Sequence, residues 1–416
     1  MTTIMRTLLL PILVILGLAA CSETDDGQSG NVLSIQPDNV EQDLQLYLLE
    51  AEPGDIIELP AGTFRFERGL TLNVDHITLR GAGMQQTVLS FADQVSGADG
   101  LLVTGSHFTI EDLAIEDTLG DALKVRGGEY IAIRRVRTEW TGGPNTENGA
   151  YGIYPVQTRH TLVEDSIAIG ASDAGIYIGQ SENVIVRNNR AEFNVAGIEI
   201  ENTVGADVYG NIAANNTGGI LVFNMPNLPV EGHSTRVYNN QIMMNNTRNF
   251  APVGTAVSSV PSGSGILINS NDRVEIFDND IAGNYTSNIL ISSYYSAGYA
   301  DRETAEVFDP YPETIYIYNN RFGPAGQMPG LPELNQLRIA LFGETGRLPD
   351  LIWDGISHPE RQSPEYAICI DDGDAVMLNM DAANDNANPH LDMSAHQCHH
   401  EKLPPIELPA ELMASR

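Results

Sequence analysis

Two glutamates, Glu199 and Glu201, sit two residues apart in the segment Gly197-Ile-Glu-Ile-Glu. On an extended strand such a pair shares one face with Cα atoms about 6.6 Å apart. From that reach one carboxyl can give a proton while the other takes one. Lys124 is one of only two lysines in the chain, and with Arg126 it offers positive charge to a substrate carboxylate. A nearby tyrosine or glutamate would then abstract the adjacent proton, which is what β-elimination or C5-epimerisation requires. Tyr154 and Tyr177 add flat faces of the kind on which sugar rings lie. Asp173, Gln180, Asn202 and Asn224 stand at the margins of the same segments, where they can hydrogen-bond hydroxyls. Each residue also has a plainer reading: neighbouring glutamates come easily to an acidic chain, tyrosines are good strand formers, and Asp and Asn favour turns. His107, His160 and His233 are scattered without ligand spacing, and Cys398-His399-His400 lacks a second cysteine at Cys-x-x-Cys-His spacing. No metal site or cofactor is expected, and nothing in the spacing argues for Ca²⁺.

A repeat brings these side chains together. Gly152-Ile-Tyr, Gly175-Ile-Tyr-Ile, Gly197-Ile-Glu-Ile, Gly219-Ile-Leu-Val and Gly265-Ile-Leu-Ile follow one another at intervals of 23, 22, 22 and 46 residues. A second strand ends in Asn189, Asn211, Asn240, Asn279 and Asn320. A period near 22 residues, built from short β-branched strands without a helix, is one turn of a β-solenoid, since a single coil cannot bury its own apolar face. Stacking at about 4.8 Å aligns equivalent side chains into ladders, so the asparagines predict a hydrogen-bonded turn ladder. Alternation sends Ile176, Ile178, Ile198 and Ile200 inward. Lys124, Tyr154, Tyr177, Glu199, Leu221, Leu267 and Leu290 then form one outward ladder, with Arg126 and Glu201 one step along. Irregular loops at 141–149 and 248–262 precede the Gly-Ile strand, and loops at 224–234 and 293–312 follow it. Such loops would wall a groove over this face.

Before the repeat, residues 39–52 place Val40, Leu44, Leu48 and Leu49 at helical spacing, which predicts a helix capping one open end. Pro53-Gly-Asp, Ala61-Gly-Thr-Phe, Leu79-Arg-Gly-Ala-Gly and the asparagine-turn coils resemble the pectin-lyase-like right-handed parallel β-helix superfamily over about residues 35–322. The fold class this resemblance implies is all-β: a right-handed parallel β-helix with an N-terminal capping helix and an irregular C-terminal extension. Ser172-Asp-Ala-Gly-Ile-Tyr-Ile-Gly-Gln-Ser, Val195-Ala-Gly-Ile-Glu-Ile-Glu-Asn and Asn216-Thr-Gly-Gly-Ile-Leu-Val-Phe-Asn are similar to bacterial parallel β-helix repeat-containing lipoproteins. That family has no settled activity, and its resemblance implies an exported partner protein with cytochrome-like features. The Asp-Pro-His-Asp sequence that marks alginate epimerases is absent.

The N-terminus reads as an address. Arg6 precedes an apolar run from Leu8 to Leu18 that leads into Ala19-Ala20-Cys21, too short to span a bilayer. Its resemblance to lipoprotein signals implies cleavage before Cys21 and acylation of that residue, with Ser22 directing the protein to the outer membrane of a Gram-negative envelope. The expected organisation is a signal at 1–20, a tether at 21–34, the β-helix at 35–322 and an extension at 323–416. With Cys21 lipidated, Cys369 and Cys398 remain as one pair for a disulfide in an oxidising compartment. The 22 basic and 55 acidic residues give a net charge of −33, which repels nucleic acid and counts against a polyuronate ligand. Two functions follow. One is a lipid-anchored protein that binds a glycan, another ligand or a partner in the groove. The alternative is a polysaccharide lyase or epimerase centred on Tyr154, Tyr177 and Glu199.

Overall fold

The computed structural model describes residues 30–297 and 302–413; the signal, Cys21 and most of the tether lie outside them. Among the described residues, the Gly-Ile strands form one eleven-stranded sheet running from Arg68–Leu72 to Met377–Asn379. Strands Tyr151–Val156, Ala174–Gly179, Ala196–Glu201, Gly218–Phe223, Ser264–Asn269 and Ser287–Ser292 succeed one another in parallel. The remaining strands of each coil pair in parallel with their counterparts in the coils above and below. This is the expected right-handed parallel β-helix.

Register follows the repeat. Ile153, Ile176, Ile198, Ile220, Ile266 and Ile289 lie opposite one another in consecutive strands, and each is fully buried. Each buried isoleucine contributes about 1.5–3 kcal/mol of apolar burial. The asparagine ladder is present: side-chain amides of Asn189, Asn211, Asn240 and Asn279 each donate to the next asparagine's Oδ1 at 2.9–3.1 Å. A second, unexpected ladder runs five residues later through Asn194, Asn216, Asn245 and Asn284, at 3.0–3.2 Å. It also explains the glycine of the repeat. A Cβ on Gly197 would stand 2.7 Å from the Asn216 amide nitrogen and 2.6 Å from the Gly219 carbonyl oxygen. The asparagine occupies the space that any larger residue would need.

Helix Val40–Glu50 caps the first coils. It buries Val40, Leu44 and Leu48, while Leu49, expected on the same face, is exposed. Gln45 accepts from and donates to the backbone of Thr71, covering the edge strand Arg68–Leu72. At the other end the solenoid passes residue 322: Leu351–Trp353 and Met377–Asn379 extend the Gly-Ile sheet, and Ile368–Asp371 extends its neighbour. These strands have three or four residues and lack the Gly-Ile and Asn-Asn signatures, so the period does not reveal them.

Cys369 and Cys398 form the expected disulfide. Beyond it the chain returns along the outside of the coils. Lys402 lies 4.4 Å over Tyr318, the Leu403 N–H donates to Glu275, the Ile406 N–H donates to Asp207, and Arg134 donates to the Leu412 carbonyl. Among the described residues no helix is long and apolar enough to cross a membrane. The disulfide closes a loop with a sequence separation of 29. Replacing both cysteines by serine is expected to cost about 3–4 kcal/mol of stability in a denaturant titration, and an unchanged midpoint would contradict that role.

Candidate functional site

The outward ladder holds its predicted register, with Tyr154 beside Lys124, Tyr177 beside Glu199, Glu199 beside Leu221, and Leu221 beside Leu267. Its exposure differs from expectation along its length. Loop 248–262 does not wall a groove over the leucine half; it fills it. Asn249 donates to the Val257 and Val260 carbonyls at 2.8 and 3.0 Å, which folds the loop on itself. Val257 and Val260 are buried in one apolar cluster with Leu221, Phe223, Leu267 and Tyr177. Glu199, read from the sequence as solvent-facing, is only 1% exposed.

The other half of the face stays accessible. There Tyr151, Tyr154 and Tyr177 pack with ring centroids 4.4–4.9 Å apart, Tyr154 standing edge-on to Tyr177. Tyr151 and Tyr154 are half-buried, as are Gln180 and Glu201, Tyr177 is buried, and Arg126 is exposed at the rim. The Tyr177 hydroxyl donates to Glu201 Oε1 at 2.7 Å, and Gln180 Nε2 lies 3.2 Å from that hydroxyl and 3.4 Å from the same carboxylate oxygen. Gly179 permits this, because a Cβ there would lie 2.3 Å from the Tyr177 ring. Lys124 Nζ is 3.0 Å from Asp121 and 4.7 Å over the Tyr154 ring.

Next to the tyrosines lie acids without full partners. Asp173, 8% exposed, has one carboxyl oxygen with no hydrogen bond, and so has Glu199. Burial pushes Asp173 up to about 8, reinforced by the charges of Glu201 and Asp121 and opposed by a hydrogen bond from Tyr151. Burial, with Asp173 and Glu201 nearby, holds Glu199 well above the usual carboxylate range. Glu201 is raised by burial against the pull of Tyr177, and Asp99 by burial, despite Lys124. The phenols are raised too, Tyr154 to about 12, chiefly by burial. They therefore keep their protons at neutral pH, which opposes the role of base expected for Tyr177. Burying a charge costs several kcal/mol unless it is paired, and burial accordingly favours the protonated forms of Asp173, Glu199, Glu201 and Asp99.

The structure thus joins Lys124, Tyr154, Asp173, Tyr177, Gln180, Glu199 and Glu201 in one cluster, as the ladder implied. It separates Asn202 and Asn224, expected to bind ligand. Both are buried, and their amides hold the loop after the strand: Asn202 bonds Met225 and Val230, and Asn224 brackets Gly232. Sequence reasoning missed Tyr151, Asp99 and Asp121. Strict alternation puts Tyr151 on the side of Ile153, but the residue before each repeat glycine sits on the outer face, as Ala174 and Ala196 do in the same register.

A second acidic group, Asp272, Asp309 and Glu313, brings one oxygen from each within 4.8 Å of the others. Arg361 already pairs with Asp309 and Glu313, so this cluster is built as an ion-pair network. His107 and His160, scattered in sequence, stack with His76 and Tyr130 along another edge of the coils, His76 against His107 at 4.1 Å.

The family described as right handed beta helix region matches residues 87–242. No match was found among curated protein sequences. The A-module of mannuronan C-5 epimerase AlgE4 from Azotobacter vinelandii superposes with a TM-score of 0.50 at 17% identity, covering 82% of this chain and 92% of its own. Alginate lyase from Paenibacillus sp. str. FPU-7 gives 0.41 at 17% identity, over 71% and 96% of the two chains. At such identities the likeness is one of fold. By its coils the chain is a right-handed parallel β-helix, and residues 87–242 match the family described as right handed beta helix region.

Proposed function

We propose that this is an exported protein, lipid-anchored through Cys21 in the cell envelope, that binds a glycan against the tyrosine–carboxyl cluster of the Gly-Ile face. One observation carries the reading. Buried Asp173 and Glu199 keep oxygens without partners next to three packed tyrosines, of which Tyr151 and Tyr154 are half-exposed. Unsatisfied buried acids work against folding, and such perturbed groups concentrate at functional sites. Aromatic rings supply stacking faces, and neutral carboxyls and phenols supply hydrogen bonds to hydroxyls. The disulfide fits an oxidising compartment. A fold shared with a protein named for mannuronan agrees with a glycan ligand without fixing one.

Tyr154→Ala is expected to weaken binding at least tenfold in calorimetric titration with whichever glycan of a panel binds, while the protein stays folded with a cooperative, lower melt. Equal affinity in that variant would remove the tyrosines from the site.

Hydrolysis is the second reading, favoured by Asp173 at about 8. An acid protonated at neutral pH, near a second carboxyl, is the pairing glycosidases use. New reducing ends released from the bound glycan by wild type, and lost in Asp173→Asn, would establish it; no release leaves binding alone.

A further inference from the structure

We infer that the glycan accepted by this site is neutral and that uronate polymers are excluded; the inference rests on the glycan reading above. Five carboxyl groups surround the tyrosines. Asp173, Glu199 and Glu201 lie along one side, Glu201 being held by Tyr177 at 2.7 Å. Asp121 and Asp99 lie on the other, sharing a hydrogen bond. Against them stand two cations. Lys124 is engaged by Asp121 at 3.0 Å and covers the Tyr154 ring at 4.7 Å. Arg126 is exposed at the rim, where solvent and salt screen it.

A sugar carboxylate lying on Tyr154 would therefore lose water with the nearest ammonium already paired to Asp121 and uncharged phenol and amide groups around it. Burying a charge that finds no partner is costly, and the −33 net charge opposes approach from a distance. An uncharged sugar meets no such penalty. Its hydroxyls find phenol, amide and carboxyl groups able to donate or accept. Asp121 is on this account a specificity-determining residue, because it keeps Lys124 from pairing with a ligand.

The test is calorimetric titration at neutral pH and about 0.15 M salt, where distant surface charges are screened. The full mature chain is titrated with neutral hexasaccharides (cello-, xylo-, manno- and maltohexaose) and with hexamers of mannuronate, guluronate and galacturonate. At least one neutral hexamer is expected to bind tenfold or more tightly than any uronate, and Asp121→Asn is expected to narrow the gap by raising uronate affinity. A uronate hexamer that binds wild type more tightly than every neutral one would overturn the inference and leave the glycan reading standing. Binding of neither class would overturn both. An Asp121→Asn protein that melts normally yet keeps the gap unchanged would show that Lys124 is not held in reserve, and would count against the inference.

Discussion

Glu199→Gln is expected to make the protein more stable, and increasingly so as the pH rises. The physical cause is the proton that Glu199 must hold. Its carboxyl is 1% exposed with one oxygen unpartnered, and burial raises its folded pKa well above the 4.5 of a free glutamate. A group raised on folding contributes its full stability only below its unfolded pKa, and that contribution is lost as pH climbs towards the folded one. Wild type therefore weakens from about pH 4.5 upward, by as much as about 1.4 kcal/mol per pH unit from this group. Glutamine has nearly the same shape and no proton to take up, so the two proteins should melt alike near pH 4.5. By pH 8 the variant should melt a few degrees higher. Thermal melts at those two pH values decide it: a variant less stable than wild type at pH 8 would mean that Glu199 is satisfied in solution. A stabilising substitution at a buried position is the signature of a residue kept for function.

The second large effect concerns the scaffold. Asn216 is fully buried; its Nδ2 donates to the Ala191 carbonyl and to Asn245, and its Oδ1 accepts from the backbone and side chain of Asn194. Asn216→Ala would leave several of these groups buried without partners, at about 1–3 kcal/mol each, for a total loss of about 3 kcal/mol or more. Gly197→Ala attacks the same contact from the other side, because its Cβ would meet both Asn216 and the Gly219 carbonyl at under 3 Å. Both variants are expected to lower the denaturant midpoint sharply. A neutral outcome for Gly197→Ala would mean that the coils part easily at this point, contrary to the packed ladder.

These two residues also show how far the fold was legible. Position within the repeat predicted which isoleucines meet inside and which side chains line up outside, because a strand's two faces alternate and coils stack in register. It did not say which outward positions are covered. Leu221 reads as surface because nothing in a 22-residue period reveals that Val257 and Val260 pack with it, and the burial of Glu199 is equally invisible there. The second asparagine ladder was visible in principle, as an asparagine five residues after Asn189, Asn211, Asn240 and Asn279. Tyr151 was hidden because the glycine after it breaks the alternation. Asp99 and Asp121 precede the regular coils, and the strands beyond residue 322 are too short to carry a pattern.

The claim on which the functional account depends is that the tyrosine–carboxyl cluster holds the sugar. A crystal structure of the protein with the neutral hexasaccharide that binds most tightly tests it most directly. The account predicts a sugar ring against Tyr154, with hydroxyls hydrogen-bonded to Glu201 and Gln180. A sugar seated elsewhere, with the three tyrosines untouched, would contradict it.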